Sequence, residues 1–370
     1  MWTARKGLRM KKLLYLMGID WYWIKQRPQI LAELLSEDYE VTVVYLKEIF
    51  QKVSLRSDKD ELPDSRKVGI IPYRDKNKVA FFLQKWLFAR QIRDFEQYDA
   101  VWIGNPLLYQ YIPKKGTYKL IYDCMDDYAA LCGDEKIRKN IIKQEKLLVK
   151  KADIIFASSS VLKEKIKQMG PKCEIKLIRN GFKRQDFSQK AKQTQRSRYN
   201  IGYIGTVAEW FDFELLKKSV DRFPDIEYSV WGPFSGGQDR SLPENIHKMG
   251  VLEHERLWEA AEQTDAMIMP FKVNPIIEAV DPVKLYEYIN MGKAVIAPYY
   301  KEIERFRPYV YFYRDETSFF QLLKQLKENG FQPSYTEQEK TEFLNANTWQ
   351  ERYQKIKSCL ERLDEGKESQ

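Results

Sequence analysis

The sequence predicts an α/β protein with two doubly wound domains, each built on a mainly parallel sheet. Short apolar strand patterns alternate with helical patterns along the whole chain, which is typical of βαβ units. A polar stretch near the middle interrupts this alternation, which then starts again. The chain has 370 residues, too many for one typical domain and suitable for two.

In the first half, short apolar runs predict buried strands, and longer amphipathic patterns predict the helices between them. A first helix is predicted to begin at Pro28, because the fixed φ of proline suits the first turn of a helix. The predicted strands are residues 13–17, 41–45, 68–73, 100–103, 120–122 and 154–157, and the later helices are residues 79–93, 135–150 and 161–169.

The second half repeats the pattern and ends in a charged helical tail, where apolar residues recur at helical spacing from Phe343 to Leu360. Its predicted strands are residues 201–204, 228–231, 266–270 and 294–297, and its predicted helices are residues 214–223, 255–263 and a helix that follows Asp281.

These patterns predict a first domain, a linker nearly devoid of large apolar side chains, a second domain and a C-terminal helical segment. The predicted ranges are 1–185, 186–198, 199–335 and 336–370, in that order. Residues 1–12 are basic and precede an apolar run too short to span a membrane. Met10 is an alternative start, which would make residues 1–9 an extension.

Composition limits the classes of function. Hydrophobic residues make up 44% of the chain and aromatic residues 14%, which provides sizeable cores and argues against global disorder. The four cysteines show neither metal-ligand nor disulfide spacing, and there are two histidines. We therefore expect no metal site, and a reducing cytoplasm as the compartment.

Charge is unevenly distributed. The net charge is +9, with +14 in residues 1–190 and −5 in residues 191–370. A basic half can face nucleic acid, an anionic membrane or an anionic substrate, or it can be a lysine-rich soluble surface. No nucleic-acid-binding module is recognisable, so no nucleic-acid partner is expected.

Residues 281–293 read Asp-Pro-Val-Lys-Leu-Tyr-Glu-Tyr-Ile-Asn-Met-Gly-Lys, and an apolar strand pattern follows. Asp281 suits the N-cap of a helix, and Gly292 suits its end. Lys284 and Glu287 share a face near the positive end of this helix, which can bind a diphosphate. An ordinary capped surface helix with a Lys–Glu pair is the alternative interpretation.

This segment resembles the C-terminal signature of group-1 (family 4-like) glycosyltransferases of the GT-B fold, in which two Rossmann-like domains face each other across a cleft. The resemblance implies that Lys284 contacts the diphosphate of a nucleotide sugar and Glu287 its ribose. It also implies that the C-terminal helix returns to the first domain. Many retaining members carry another glutamate eight positions earlier, where this chain has Ala279. Glu278 and Asp281 lie nearby, and either could substitute in part.

Other parts of the second domain resemble the same family. Residues 201–206 resemble its opening strand and loop, residues 245–250 the segment before the base pocket, and residues 265–271 the strand before the signature helix. Glycine in the loop after the opening strand would let the backbone approach a diphosphate closely. The predicted donor-binding residues are Gly205, Thr206, Trp231, Pro270, Asp281, Lys284, Leu285 and Glu287. For Trp231, a position in the core is the alternative.

Asp123, Asp126 and Asp127 follow a predicted strand within five residues. Such closely spaced carboxylates repel one another, which can raise the pKa of one and suit it to deprotonate a sugar hydroxyl. We therefore predict them as catalytic residues, with a simple loop cap as the alternative. Some relatives use a histidine after the preceding strand, and none is present here. The stereochemical outcome, inversion with an aspartate base or retention without a strong base, stays open.

The first predicted strand is followed by Asp20, Trp21 and a tryptophan two residues later, and then by Arg27-Pro-Gln. This arrangement resembles a subset of the family. A loop at the carboxyl end of a strand faces the crevice, so Asp20, Trp21, Arg27 and Asn105 are candidate acceptor or cleft residues. Aromatic packing and local ion pairing are the alternative.

Residues 76–93 form an aromatic and basic stretch with helical spacing. Such segments can lie in a membrane interface, whereas a core helix with a basic outer edge is the alternative. The positive charge of the first half favours membrane contact.

Overall, the chain resembles bacterial cell-surface polysaccharide enzymes of the teichuronic acid biosynthesis type. The resemblance implies a metal-independent, cofactor-free transferase that uses a nucleotide-diphosphate sugar, with UDP as the expected nucleotide. It also implies a polyprenyl-diphosphate-linked saccharide acceptor and a cytoplasmic location, peripheral on the inner face of the membrane. A sugar-nucleotide epimerase on the same fold and a non-catalytic nucleotide-sugar-binding component of an assembly complex are the alternatives.

Overall fold

The computed structural model describes residues 9–22, 25–48, 64–92, 95–113, 116–185, 198–235, 242–252 and 256–366. It divides into two compact units, one formed by residues 1–179 and 349–370 and the other by residues 180–348. The predicted linker lies outside the described residues except for Arg198, and so do residues 1–8 of the possible extension. The sequence had placed the boundaries at 185 and 335.

The first unit contains a parallel sheet of seven strands in the order β3-β2-β1-β4-β5-β6-β7. Its central strands are almost entirely buried, as expected of a parallel sheet covered on both faces. The strands are β1 (Lys12–Met17), β2 (Glu40–Glu48), β3 (Asp64–Ile70), β4 (Ala100–Ile103), β5 (Lys119–Cys124), β6 (Ile154–Ala157) and β7 (Ile175–Leu177).

Helices alternate with these strands, and the last helix of the chain joins them. The helices of this unit are α1 (Arg27–Leu35), α2 (Lys78–Gln91), α3 (Tyr128–Leu131), α4 (Glu135–Val149), α5 (Ser160–Gln168) and, from the C-terminus, α12 (Trp349–Asp364). Trp349, Tyr353 and Ile356 of α12 lie in the same core as Leu31 and Leu35 of α1. The predicted return of the C-terminal helix to the first domain is thus confirmed.

The second unit contains a parallel sheet of six strands in the order β10-β9-β8-β11-β12-β13. The strands are β8 (Tyr199–Ile204), β9 (Ile226–Trp231), β10 (Ile246–Gly250), β11 (Ala266–Ile268), β12 (Ala294–Pro298) and β13 (Tyr311–Tyr313). The helices are α6 (Phe213–Arg222), α7 (Leu257–Gln263), α8 (Pro275–Glu278), α9 (Val283–Asn290), α10 (Glu316–Glu328) and α11 (Glu337–Asn345).

Helix α11 belongs to the second unit, although the sequence had grouped it with the returning segment. Phe343 of α11 stacks on Tyr286 at 5.9 Å and on Tyr309 at 4.2 Å between ring centroids. Leu344 is buried in the core of that unit. Aromatic packing on α9 therefore holds α11 in place, and the chain leaves this unit only after Thr348.

Within the described ranges, none of the helices is both long enough and apolar enough to cross a bilayer.

Candidate functional site

In the second unit, the strand order reverses between β8 and β11. Ligands of doubly wound sheets bind at the carboxyl ends of the strands, beside such a reversal. Gly205 and Thr206 follow β8, and Pro270 follows β11 by two residues. The structure thus brings three predicted donor-binding residues to the edge of the sheet where a ligand is expected.

Gly205 is in close contact with Lys284 of α9. A Cβ atom placed on Gly205 would lie 2.2 Å from Cε and 2.7 Å from Nζ of Lys284, and the φ of +144° also favours glycine here. Gly232, after β9, has a φ of +136°, and a Cβ there would lie 2.1 Å from the carbonyl oxygen of Gly205. Glycine at both positions therefore allows the loops after β8 and β9 to pack closely on each other and Lys284 to pack on Gly205.

Lys284 makes no hydrogen bond or ion pair with any residue in the described part of the chain. Burial lowers the pKa of its ammonium group, and the nearby Glu287 carboxylate partly opposes this effect. The Lys284 ammonium also lies 6.0 Å from the centre of the Tyr203 ring. A partly buried cation that no carboxylate contacts directly is costly, so this position suits an anionic ligand.

Helix α9 begins beside this cation, and no side chain caps its N-terminus. The N–H groups of a first helical turn lack partners within the helix and attract anions. Glu287 follows Lys284 by one turn and is half-buried, whereas Leu285 is fully buried in the core. Trp231 is also buried, and its carbonyl accepts a 2.8 Å hydrogen bond from the Gly205 N–H.

Asp281 does not cap α9, which corrects the predicted N-cap; Pro282 occupies that position. The Asp281 side chain is buried and forms an ion pair with Arg305. It also accepts a 2.7 Å hydrogen bond from the Asn180 N–H, while its carbonyl accepts one of 2.8 Å from the Asn180 side chain. Asp281 therefore anchors the segment before α9.

The anchoring of Asp281 matters because this chain has Ala279 where many retaining members of the resembled family carry a glutamate, eight positions before Glu287. Ala279 is buried, whereas Glu278 ends α8 and is exposed. Arg305 holds the Asp281 carboxylate, so Glu278 is the one of these two carboxylates that is exposed.

In the first unit, the strand order reverses between β1 and β4. Gly18 follows β1 and Asn105 follows β4, and a Cβ on Gly18 would lie 2.6 Å from the Asn105 Cβ. The Asn105 side chain caps the short 3-10 helix Pro106–Tyr111 by accepting from the Leu107 N–H. The structure thus places Asn105 at the reversal point of this sheet, as a crevice residue would be.

The other three predicted crevice residues, Trp21, Asp20 and Arg27, have different surroundings. Trp21 is fully buried in the core. Asp20 accepts a 3.1 Å hydrogen bond from the Tyr22 N–H and lies 3.5 Å from the Lys47 ammonium. Arg27 is buried and donates to Asp123.

Arg27 and Asp123 form a buried ion pair. Nε of Arg27 lies 3.1 and 3.0 Å from the two carboxylate oxygens of Asp123, and Nη2 lies 2.7 Å from Oδ1. The remaining nitrogen, Nη1, donates to the carbonyl of Ile178 at 2.8 Å. The Asp123 side chain has no exposed surface, so the pair ties α1 to β5 and does not present a free carboxylate.

Asp127 is held by two interactions. It accepts a 3.0 Å hydrogen bond from the Ala130 N–H and so caps α3. Its carboxylate also lies 2.8 Å from the Lys165 ammonium, which reaches the buried Glu145 at 3.2 Å. The Asp127 carboxylate is therefore already engaged by a helix N-terminus and by a cation.

Asp126 differs from both neighbours, since no hydrogen bond or ion pair joins its carboxylate to the described residues. Burial raises its pKa to about 7, Arg27 opposes the shift, and the charges of Asp123 and Asp127 add to it. A carboxylate that titrates near neutral pH is suited to accept a proton from a hydroxyl group.

Sequence reasoning missed the supporting residues Asn180, Arg305 and Lys165. Each contacts an aspartate that is distant in sequence. Asn180 and Arg305 are 101 and 24 residues from Asp281, and Lys165 is 38 residues from Asp127. No local pattern marks such pairs, because their proximity results from the tertiary fold.

No protein-family model matches the chain. A relative from Bacillus subtilis (strain 168) is named as a teichuronic acid biosynthesis glycosyltransferase, TuaH, an assignment that is provisional for that protein. The two are 28% identical over 215 residues, which cover 53% of this chain and 54% of the relative. The match therefore spans about half the length of that relative.

Solved glycosyltransferase structures resemble the whole chain. A sucrose-phosphate synthase from Thermosynechococcus elongatus has a TM-score of 0.70 at 12% identity, covering 96% of this chain and 100% of that chain. Anabaena Alr3699/HepE, solved in complex with UDP, has a TM-score of 0.67 at 13% identity, covering 95% and 99%. An Escherichia coli trehalose-6-phosphate protein bound with UDP-2-fluoro glucose has a TM-score of 0.66 at 8% identity, covering 94% and 98%. The chain therefore has the GT-B fold, the fold of the group-1 glycosyltransferases whose signature its residues 281–293 resemble.

Proposed function

We propose that the chain is a glycosyltransferase that moves a sugar from a UDP-sugar to a saccharide or lipid-linked acceptor in the synthesis of a teichuronic acid-like surface polysaccharide. The observation that carries this proposal is the buried Lys284 ammonium, which makes no hydrogen bond or ion pair within the described ranges. It lies over Gly205, at the uncapped N-terminus of α9 and at the reversal point of the sheet.

The donor diphosphate fits this arrangement chemically. The ammonium of Lys284 and the first N–H groups of α9 would neutralise the negative charge that builds on the leaving UDP. In the proposal these groups take the role that a divalent cation has in other transferases. Glu287, one helical turn away, would accept hydrogen bonds from the ribose hydroxyls. Two of the solved structures with this fold contain UDP or a UDP-sugar, which supports UDP as the nucleotide.

Asp126 is proposed as the base that activates the acceptor. As the acceptor oxygen bonds to the anomeric carbon, its proton passes to the Asp126 carboxylate, and the bond from the anomeric carbon to the diphosphate breaks. Asp123 and Asp127 act through Asp126, because their charges help to raise its pKa. Such a base fits single displacement with inversion, whereas retention would proceed without it. The anomeric configuration of the product distinguishes the two.

The acceptor proposed is a polyprenyl-diphosphate-linked saccharide at the inner face of the cell membrane, with the chain bound peripherally. The name of the Bacillus subtilis relative supports this class of pathway. The charge of +14 in residues 1–190 suits both an anionic acceptor and an anionic membrane surface.

A thermal-shift screen of nucleotides and nucleotide sugars tests the donor site. We expect a UDP-sugar to raise the melting temperature of the wild-type chain, because a ligand that binds only the folded state stabilises it. Lys284→Gln and Glu287→Ala should lose this response, and the exposed Lys324→Gln should keep it as a matched control. No response to any nucleotide sugar would contradict the proposal, and conversion of the donor to its epimer would replace it with an epimerase.

A further inference from the structure

Large apolar side chains are exposed along one short stretch of the first unit. Within the described residues, five of them lie between positions 73 and 86. They are Tyr73, 76% exposed, Val79, 77%, Phe82, 65%, Leu83, 45%, and Trp86, 51%. Contiguous exposed apolar surface of this kind marks an interaction site in soluble proteins.

The inner face of α2 is already packed, so these side chains are not a core face awaiting its partner. Phe88 stacks on Tyr111 at 4.6 Å between ring centroids, and Phe81 stacks on the same ring at 5.8 Å. The buried Gln84 accepts from the Ile71 N–H at 2.7 Å and donates to the Gly69 carbonyl at 3.1 Å. The opposite side of α2 is its outer face, which carries four apolar residues at helical spacing: Val79, Phe82, Leu83 and Trp86.

Tyr73 lies in the turn before α2, where its carbonyl accepts a 2.8 Å hydrogen bond from the Asn77 N–H. Its φ is +59°, a conformation that a tyrosine adopts at a cost. The Asn77 side chain caps α2 by accepting from the Val79 and Ala80 N–H groups, so the turn and the helix are fixed to each other.

The charged residues of α2 itself are of one sign. Helix α2 has the sequence KVAFFLQKWLFARQ, with three basic residues and no acidic one. Lys78 and Lys85 are exposed and have no ion-pair partner in the described ranges. The Arg90 guanidinium lies 4.8 Å from the centre of the Trp86 ring. Aromatic and apolar side chains among lysines and arginines match the boundary between acyl chains and anionic headgroups.

We propose that the outer face of α2, together with Tyr73, is a docking surface for an anionic lipid bilayer. The aromatic and aliphatic side chains enter the boundary of the acyl chains, and Lys78, Lys85 and Arg90 contact the headgroups. The inference names the surface that would give the chain its proposed peripheral membrane location. It rests on the proposed function only for the biological purpose of that location. An acidic protein partner would match the basic residues, but it would leave unexplained the four large apolar side chains on the outer face of α2.

Vesicle flotation of the full chain tests this surface, without donor or acceptor present. We expect the wild type to bind phosphatidylcholine vesicles that contain phosphatidylglycerol, to bind less as salt is raised, and to ignore phosphatidylcholine alone. Lys78→Glu/Lys85→Glu should weaken binding by about tenfold or more, since each basic residue near the surface contributes to attraction. Phe82→Ser/Trp86→Ser should weaken it at both low and high salt.

Matched controls carry the same changes elsewhere. Lys151→Glu/Lys167→Glu alters two exposed lysines of the same unit, and Met249→Ser/Trp258→Ser removes two exposed apolar side chains of the other unit. Both should bind vesicles as the wild type does. Failure of the wild type to bind, or equal losses in the controls, would overturn the inference.

A nucleotide titration of the same samples separates the two proposals. If the wild type binds a UDP-sugar but does not bind vesicles, only the docking surface is refuted. If the wild type binds vesicles but does not bind any nucleotide, only the donor site is refuted.

Discussion

Asp123, Asp126 and Asp127 lie within five residues, but their surroundings give them different chemistry. Arg27 keeps Asp123 in a buried ion pair, and Lys165 keeps Asp127 beside a cation. Asp126 has neither partner, and burial raises its pKa to about 7. The sequence therefore predicted that the three carboxylates lie together. Only the tertiary contacts identify Asp126 as the one suited to accept a proton.

Replacing Asp126 tests its role as a base. Asp126→Asn should lower kcat by about 10²–10⁴-fold, the usual contribution of general base catalysis, with little effect on the donor KM. The wild-type rate should rise with pH as Asp126 loses its proton near pH 7. A variant that keeps wild-type turnover would contradict the assignment.

The same variant should be more stable than the wild type at pH 8. The folded-state pKa of Asp126 lies above its unfolded value, so the stabilisation by its neutral form is present below about pH 4 and is lost as pH rises through about 7. Asparagine avoids this loss. We expect a gain of roughly 1–2 kcal/mol, below the full ~4 kcal/mol of the shift because the group is partly exposed. Urea unfolding at pH 5 and pH 8 measures it, and a loss of stability at pH 8 would indicate a structural carboxylate.

Lys284 should make UDP binding dependent on pH. Burial lowers its pKa, and only the protonated ammonium attracts a diphosphate, so affinity should fall as pH rises through that pKa. Lys284→Gln should bind UDP about tenfold or more weakly and lose this dependence, since hydrogen bonds to charged groups contribute about 1.5–3 kcal/mol. Calorimetric titration over a range of pH checks both, and identical profiles would remove Lys284 from the site.

At the scale of elements, the buried strands were predictable, whereas of the four edge strands only β3 was predicted, and with shifted bounds. The central strands β1, β4, β6 and β12 are apolar runs, and the predicted ranges overlap them closely. The strands β7, β10 and β13 went unpredicted because each lies at a sheet edge and is short or partly polar. The start of α9 also differed, because Arg305 takes the carboxylate that local pattern assigned to a cap.

The Arg27–Asp123 pair should hold α1 against β5. Asp123→Asn leaves the Arg27 charge buried and unpaired, which should cost about 3–5 kcal/mol of the free energy of unfolding. Arg27→Met/Asp123→Leu should cost less than the two single changes together, because it leaves no isolated charge. Urea denaturation measures all of the variants. A loss below about 1 kcal/mol for Asp123→Asn would show that the pair is not needed for folding.

Helix α12 should be an integral part of the first unit. Trp349 is 4% exposed, so Trp349→Ala should destabilise the chain by about 3–5 kcal/mol through the cavity it leaves. Lys355→Ala, on the exposed side of the same helix, should change stability by less than about 0.5 kcal/mol. Equal unfolding midpoints for both variants would contradict this packing.

At the scale of the molecule, the two units carry different candidate chemistry. The second contains the cation and the open helix end suited to a nucleotide diphosphate, and the first contains Asp126 and the apolar, basic face of α2. The alternation of strands and helices was sufficient to predict two doubly wound domains. It could not identify which polar side chains have partners, because those contacts join residues far apart in the chain.

Transfer itself is the most direct test of the central claim. The wild type is incubated with the UDP-sugar found in the thermal-shift screen and with a lipid-linked saccharide extract, and the acceptor is weighed by mass spectrometry. We predict UDP release and a mass gain of one sugar residue, present in Lys324→Gln and absent in Lys284→Gln and Asp126→Asn. A donor that binds but is never transferred to any acceptor would contradict the account and favour a non-catalytic nucleotide-sugar-binding protein.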